Sequence, residues 1–150
     1  MRSRPSARLL VLNPSGRVLL FRFVHKNGAL AGKDYWATPG GGVEDGETFE
    51  QAGIRELQEE TGIQVHTIGP EVGRREFVLQ LPDGEWVMAD ERFFLIRCEE
   101  ASSLSGDGWT ALEVEVLAEH KWWSQDELMQ TSVIVWPENL LTMLNVAIAR

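Results

Sequence analysis

Sulfur and positive charge are scarce in this 150-residue chain, which holds one cysteine, and fourteen Lys and Arg against twenty-three Asp and Glu. Cys98 cannot form an internal disulfide, and with Arg97 and Glu99 beside it in a strand-like run it makes no metal or nucleophile pattern, so it reads as structural. His66 and His120 also stand without a partner pattern and are assigned no role. The net charge of −9 opposes non-specific binding to a nucleic-acid polymer or an anionic membrane. A phosphate-bearing substrate would then need cations as go-betweens. Long apolar runs are missing: Leu9-Leu10-Val11-Leu12 is broken at once by Asn13-Pro14-Ser15-Gly16, too soon for a signal peptide or a membrane span. The default expectation is a cytoplasmic protein with no membrane partner. Without repeats, low-complexity tracts or linkers, the chain reads as a single domain over residues 1–150, long enough to bury about two thirds of its unfolded surface.

Two apolar runs, Ala7 to Asn13 and Arg17 to Val24, flank the turn at Asn13-Pro14-Ser15-Gly16 and read as a β-hairpin. His25 to Asp34 is a loop, and Tyr35 to Ala37 a short strand entering Thr38-Pro39-Gly40-Gly41-Gly42. Thr48 with Gln51 forms a capping box and Thr61-Gly62 a left-handed stop, which predicts a helix from Thr48 to Thr61. Val65 to Ile68, Arg75 to Leu81 and Trp86 to Cys98 read as strands, the last two joined by Pro82-Asp83-Gly84. Glu100 to Gly108 is polar and a candidate for mobility, while Glu113 to Glu119 and Lys121 to Trp123 are strand-like. Ser124 with Glu127 caps a short helix, and Pro137 opens a last helix carrying Leu140, Leu144, Ala147 and Ile148 at helical spacing. The class is α/β (α+β), with helices on the faces of a mixed sheet.

The predicted helix at 48–61 is where chemistry concentrates. At about 100° per residue, Glu56, Glu59 and Glu60 share one face, and Leu57 and Ile54 form the core-facing stripe. Like charges at this spacing destabilise a helix unless a cation neutralises them, and hard carboxylate ligands suit Mg²⁺ or Mn²⁺. Ala52 and Gly53 are small enough to admit a second backbone, for which the glycine loop is the expected neighbour. Arg55, four residues before Glu59, can orient that carboxylate, and Glu47 can reach the metal side or cap the helix. The glutamates alone would equally suit a solvated surface helix.

The complete spacing decides between these readings: Gly41, Glu47, Arg55-Glu56-Leu57, Glu59-Glu60 and Gly62-Ile63. This pattern resembles the signature of the Nudix hydrolases, and at average residue usage a chance match is on the order of 10⁻⁹ per starting position. Trp122-Trp123-Ser124 before a capped helix also looks like the family's usual ending. The resemblance implies a Nudix-type α/β/α sandwich with a mixed, partly antiparallel central sheet. It implies a metal-dependent hydrolase that cleaves the diphosphate linkage of a nucleoside diphosphate joined to another group. Metal ligands would be Glu56, Glu59 and Glu60, with Glu47 and the Gly41 carbonyl contributing. Glu59 is the first choice of base, with Glu56 and Arg55 in the catalytic set; Glu91, Glu113, Glu115 and Asp107 are secondary candidates for the base, each expected to face solvent.

Substrate candidates are Arg22, Lys33, Trp36 and Glu91, alongside Lys26 and Arg74 for phosphates and Phe23, Phe77 and Trp86 for a base platform. The expected partner is a small nucleotide-type molecule, and a homodimer is common among such proteins. Marks of the coenzyme A, reduced dinucleotide, diadenosine polyphosphate and ADP-ribose subfamilies are missing. Two competing classes are a Nudix-fold sensor that has lost hydrolysis, which would have no need of intact glutamates, and an isoprenoid diphosphate isomerase, which would bring a catalytic cysteine. Specificity is expected to lie in His25 to Asp34 and Glu100 to Gly108.

Overall fold

A computed structural model describes residues 1–98 and 108–149. The order of elements is β1 (Arg2–Leu12), β2 (Val18–Val24), β3 (Asp34–Ala37), β4 (Gly40–Gly42), α1 (Phe49–Thr61), β5 (Glu71–Gln80), β6 (Trp86–Arg97), α2 (Ala111–Val116), β7 (Leu117–Trp123), α3 (Gln125–Gln130), β8 (Val135–Trp136) and α4 (Leu140–Ile148). The strands make one mixed sheet in the order β5-β6-β1-β2-β3-β8, with β4 paired to β1 and β7 to β2. The long parallel pair is β1 with β6, in register from Arg2 with Val87 to Leu12 with Arg97.

Alternation along β1 splits the core into two layers. Ala7, Leu9 and Val11 pack with Ala52 and Leu57 of α1, whereas Leu10 and Leu12 pack with Leu140, Met143, Leu144 and Ala147 of α4. Helices therefore cover both faces of the sheet, as expected. No helix among the described residues is long and apolar enough to cross a membrane.

Several expectations require correction. Val65 to Ile68 is not a strand: its apolar side chains join the α1 layer, and the ladder is taken up after it, where the Gly69 N–H donates to the Leu95 carbonyl at 2.9 Å. The strand expected from Arg75 begins four residues earlier, at Glu71. Glu113 to Glu119 divides into α2 and β7, because Thr110 and Glu113 form a reciprocal capping box that overrides the β-branched Val114 and Val116. Pro137 lies ahead of α4, which starts at Leu140 with Asn139 as its cap. Gly53 faces the side chains of Ile68, Leu9 and Ala7, to which a Cβ would lie 3.2, 3.3 and 3.7 Å away, whereas the glycine strand meets α1 at Glu56 and Glu60. Most of the Glu100 to Gly108 segment, including Asp107, falls outside the described residues.

Candidate active site

The cap of α1 sets its register, since Thr48 Oγ1 accepts from the Gln51 N–H at 3.0 Å and the Gln51 side chain accepts from the Thr48 N–H at 2.9 Å. Gly62, at φ 79°, ends the helix with its N–H on the Gln58 carbonyl. This register turns Glu56 and Glu60 inward against β4. Glu60 is 1% exposed, and its Oε1 accepts from the Gly40 N–H at 2.8 Å. A side chain at Gly41 would overlap the Glu56 carboxylate, so glycine at that position is a steric requirement of the buried acid.

A third carboxylate closes the cluster. One oxygen each of Glu56, Glu60 and Glu113 lie within 4.8 Å of one another. Glu113 comes from α2, whose start is seated on the end of α1: the Trp109 Nε1–H donates to the Glu60 carbonyl at 2.9 Å, and a Cβ on Gly108 would lie 2.8 Å from Glu59 Cα. Burial, together with Glu56 and Glu113, pushes Glu60 well above the usual carboxylate range. Burial also raises Glu56, against the opposing pull of Arg55.

Arg55 clasps the outer side. Its Nε and Nη2 donate to the two oxygens of Glu47 at 2.8 and 2.9 Å, Nη2 donates to the Gly42 carbonyl at 2.9 Å, and Nη1 donates to Glu56 at 2.9 Å and lies 3.3 Å from Glu59. The expected contact with Glu59 is present, but the shorter bonds go to Glu47 and Glu56. The hydrogen bond from Arg55 depresses the Glu47 pKa. Glu59 keeps 35% of its side chain exposed, against 11% for Glu56.

Beside the carboxylates, alternate residues of β1 present Arg4, Ser6 and Arg8. Arg8 Nε donates to Glu91 at 3.0 Å. Burial would lower the Arg8 pKa, but Glu91 and Glu60 outweigh it and raise it. Arg4 Nη1 donates to Ser6 Oγ at 2.9 Å, and among the described residues it has no carboxylate partner. Burial and the like charge of Arg8 lower its pKa, and its guanidinium borders Gly42. Arg4 is not among the candidates named from the sequence; the two-residue alternation of Arg4, Ser6 and Arg8 is the signal that marks it.

The remaining candidates separate. Glu91 is buried, contrary to the expectation that it faces solvent, and it sits between Arg8 and Arg75, the latter at 3.4 Å. Trp36 is buried in the core, edge-on to Trp123 at 5.2 Å. Arg22 is engaged by Asp34 and Glu119 at the surface, and Lys33 is exposed. Phe77 lies under the Arg75 guanidinium at 4.1 Å. Glu115 reaches the 25–33 segment through Asn27, not the cluster.

The NUDIX domain family model matches residues 2–143. The chain belongs to the Nudix family. Among its relatives, it is similar to an RNA pyrophosphohydrolase of Novosphingobium aromaticivorans, 38% identical over 82 residues that cover 53% of this chain and 48% of that protein. Nudix hydrolase 25 of Arabidopsis thaliana is 28% identical over 141 residues, covering 87% of this chain and 77% of the plant protein. The first of these matches thus spans about half of the relative's length. In three dimensions the Nudix chain is similar to a MutT protein from Methanosarcina mazei Go1, with a TM-score of 0.69 at 23% identity over 96% of this chain and 91% of that one. A MutT NUDIX hydrolase from Burkholderia pseudomallei superimposes with a TM-score of 0.66 at 19% identity, covering 97% and 98% of the two chains. These structural matches bear on the fold.

Proposed function

We propose that this protein, acting as a single domain, hydrolyses the diphosphate linkage of a nucleoside diphosphate joined to another group, with a divalent cation, Mg²⁺ or Mn²⁺, held by Glu56, Glu60 and Glu113. The observation that carries the reading is the convergence of three carboxylates around a buried Glu60, of which, among the described residues, only Glu56 is ion-paired, to Arg55. An all-oxygen, negatively charged donor set of this kind fits a hard cation. Glu59, Glu47 and the Gly41 carbonyl, implied by the family signature, complete the proposed ligand set, with Glu47 joining it only by giving up Arg55. When bound, the metal supplies charge neutralisation at phosphoryl oxygens and makes a neighbouring water more acidic.

The protein's own groups do the rest. Arg55 fixes Glu56 and Glu59 by direct hydrogen bonds and ties both to the glycine strand through Gly42. Glu59, the more exposed of the two, takes the proton of the attacking water. The water oxygen bonds to phosphorus as the bridging P–O bond breaks, giving a nucleoside monophosphate and the phosphorylated second group. Arg4, lacking a carboxylate partner among the described residues, is free to meet a phosphate.

The test is a hydrolysis screen with Mg²⁺ or Mn²⁺ over nucleotide sugars, dinucleoside polyphosphates, ADP-ribose and nucleoside triphosphates, with Glu59→Gln and Glu60→Gln beside the parent. Turnover that disappears on chelation and in both variants is the expected result. Turnover that survives chelation would sink the mechanism, and tight binding without turnover would install the sensor reading in its place.

A further inference from the structure

A cation and an anion withdrawn from solvent, Arg8 and Glu60, share one neighbour and do not pair. Glu60 is buried, and Arg8 keeps 19% of its side chain exposed. Gly40 lies opposite Arg8 in the β1–β4 register, and its N–H holds Glu60 Oε1 at 2.8 Å. A Cβ on Gly40 would stand 2.8 Å from Arg8 Cα and 3.0 Å from Arg8 Cδ, so the arginine stem packs directly on the backbone that seats the acid. The two charges act on each other, each favouring the other's ionised form. A charge buried beside an opposite one ordinarily pairs with it. Among the described residues, however, no ion pair reaches Glu60.

What engages Arg8 instead is Glu91 of β6. Ser6 is the register partner of Glu91, which puts Arg8, two residues on, on the same face of the sheet. Glu91 Oε2 accepts from Arg8 Nε at 3.0 Å, the side-chain hydrogen bond that Arg8 makes among the described residues, while Oε1 lies 3.4 Å from Arg75. Each oxygen of Glu91 thus faces its own guanidinium, the compensation that a carboxylate 6% exposed requires. Arg75 is fixed in turn by the face of the Phe77 ring at 4.1 Å and by Glu138 at 3.3 Å. Glu91 itself stands outside the carboxylate cluster of Glu56, Glu60 and Glu113.

We propose that Glu91 is a positioning residue of the cation site: it holds Arg8 off Glu60, so that the Glu60 oxygens stay open to a divalent cation and are not taken by a guanidinium. The proposal rests on the hydrolase reading above. Without the Glu91 charge, Arg8 keeps its donors and a flexible stem beside Gly40, and the nearest uncommitted anion is Glu60. An arginine seated there would occupy ligand oxygens and set a like charge against the incoming cation. Arg75 cannot make the same move, because it lies on β5, with β6 and β1 between it and β4.

The experiment is a calorimetric titration of the full chain with Mn²⁺, without substrate, for the parent, Glu91→Gln, Arg8→Met and the pairs Arg8→Met/Glu91→Gln and Arg75→Met/Glu91→Gln. Glutamine keeps the shape of the acid, and methionine keeps an apolar stem on Gly40. Glu91→Gln should raise the Mn²⁺ Kd by at least about tenfold. Arg8→Met should leave it within about threefold of the parent, and Arg8→Met/Glu91→Gln should return it to that range, because no guanidinium remains to take Glu60. Arg75→Met/Glu91→Gln has the same net charge as the other pair but should stay as weak as Glu91→Gln. An unmoved Kd in Glu91→Gln, equal recovery in both pairs, or about a tenfold loss in Arg8→Met overturns the proposal and leaves the hydrolase reading standing. Should Glu91→Gln not fold alone, Arg8→Met/Glu91→Gln is set against Arg8→Met, where a Kd differing by more than about threefold would show Glu91 acting without Arg8 and overturn it. A parent that binds no Mn²⁺ removes both.

Discussion

Gly41 shows how much of the site hangs on one missing side chain. Its Cα faces the Glu56 carboxylate so closely that a methyl group would occupy the space of the acid's oxygens. Glu56 cannot turn away without releasing the Arg55 Nη1 bond at 2.9 Å, which is part of the clasp that also holds Glu47 and Gly42. Gly41→Ala should therefore displace a carboxylate and leave the fold standing. A displacement of about 1 Å at reacting groups can cost about 10²-fold, and that is the loss in kcat expected here. Circular dichroism unchanged from the parent, alongside the kinetics, would check it; near-parental kcat would show that Glu56 has room the distances deny.

At the scale of elements, what could be read from the sequence depended on whether the signal was local. The ends of α1 are written in Thr48, Gln51 and Gly62, and the structure forms the cap and stop those residues specify. The carboxylates of α1 follow from its periodicity. In α2 the β-branched Val114 and Val116 favour a strand, whereas Thr110 and Glu113 form the same kind of capping box as Thr48 and Gln51, and the box prevails. Glu113 entered only as a secondary candidate for the base, since nothing in the spacing between residues 60 and 113 announces that α2 docks on α1. That proximity comes from Gly108 and Trp109. The same holds for Arg4 and Glu91, whose neighbours lie on other strands.

A consequence of the α2 cap can be measured. The Thr110 side chain holds the Glu113 backbone while its own N–H engages the Glu113 carboxylate at 2.9 Å, so the cap both starts the helix and aims the third acid. Thr110→Ala should destabilise α2 by about 1 kcal/mol. On a six-residue helix that is enough to loosen Glu113. Mn²⁺ affinity, followed by calorimetry, should fall several-fold while the global melting temperature moves little. Undiminished affinity would remove Glu113 from the ligand set and leave Glu59 beside Glu56 and Glu60.

For the whole molecule, the cluster sets stability against function. Burying Glu60 beside Glu56 and Glu113 costs free energy in the metal-free protein, because desolvation and like charge both disfavour its ionised form. Glu60→Gln keeps an oxygen for the Gly40 N–H and removes the charge. In chelator the variant should melt about 2–4 °C above the parent if roughly 1 kcal/mol of repulsion is relieved in a chain of this size. A bound cation reverses the order: at a hundredfold excess over its dissociation constant it stabilises the parent by about 2.7 kcal/mol, and a variant with a weakened site loses most of that gain. The two melting curves should change places between chelator and saturating Mg²⁺. A variant that melts below the parent in both conditions would mean that Glu60 serves the fold through its Gly40 bond rather than waiting, at a cost, for a cation.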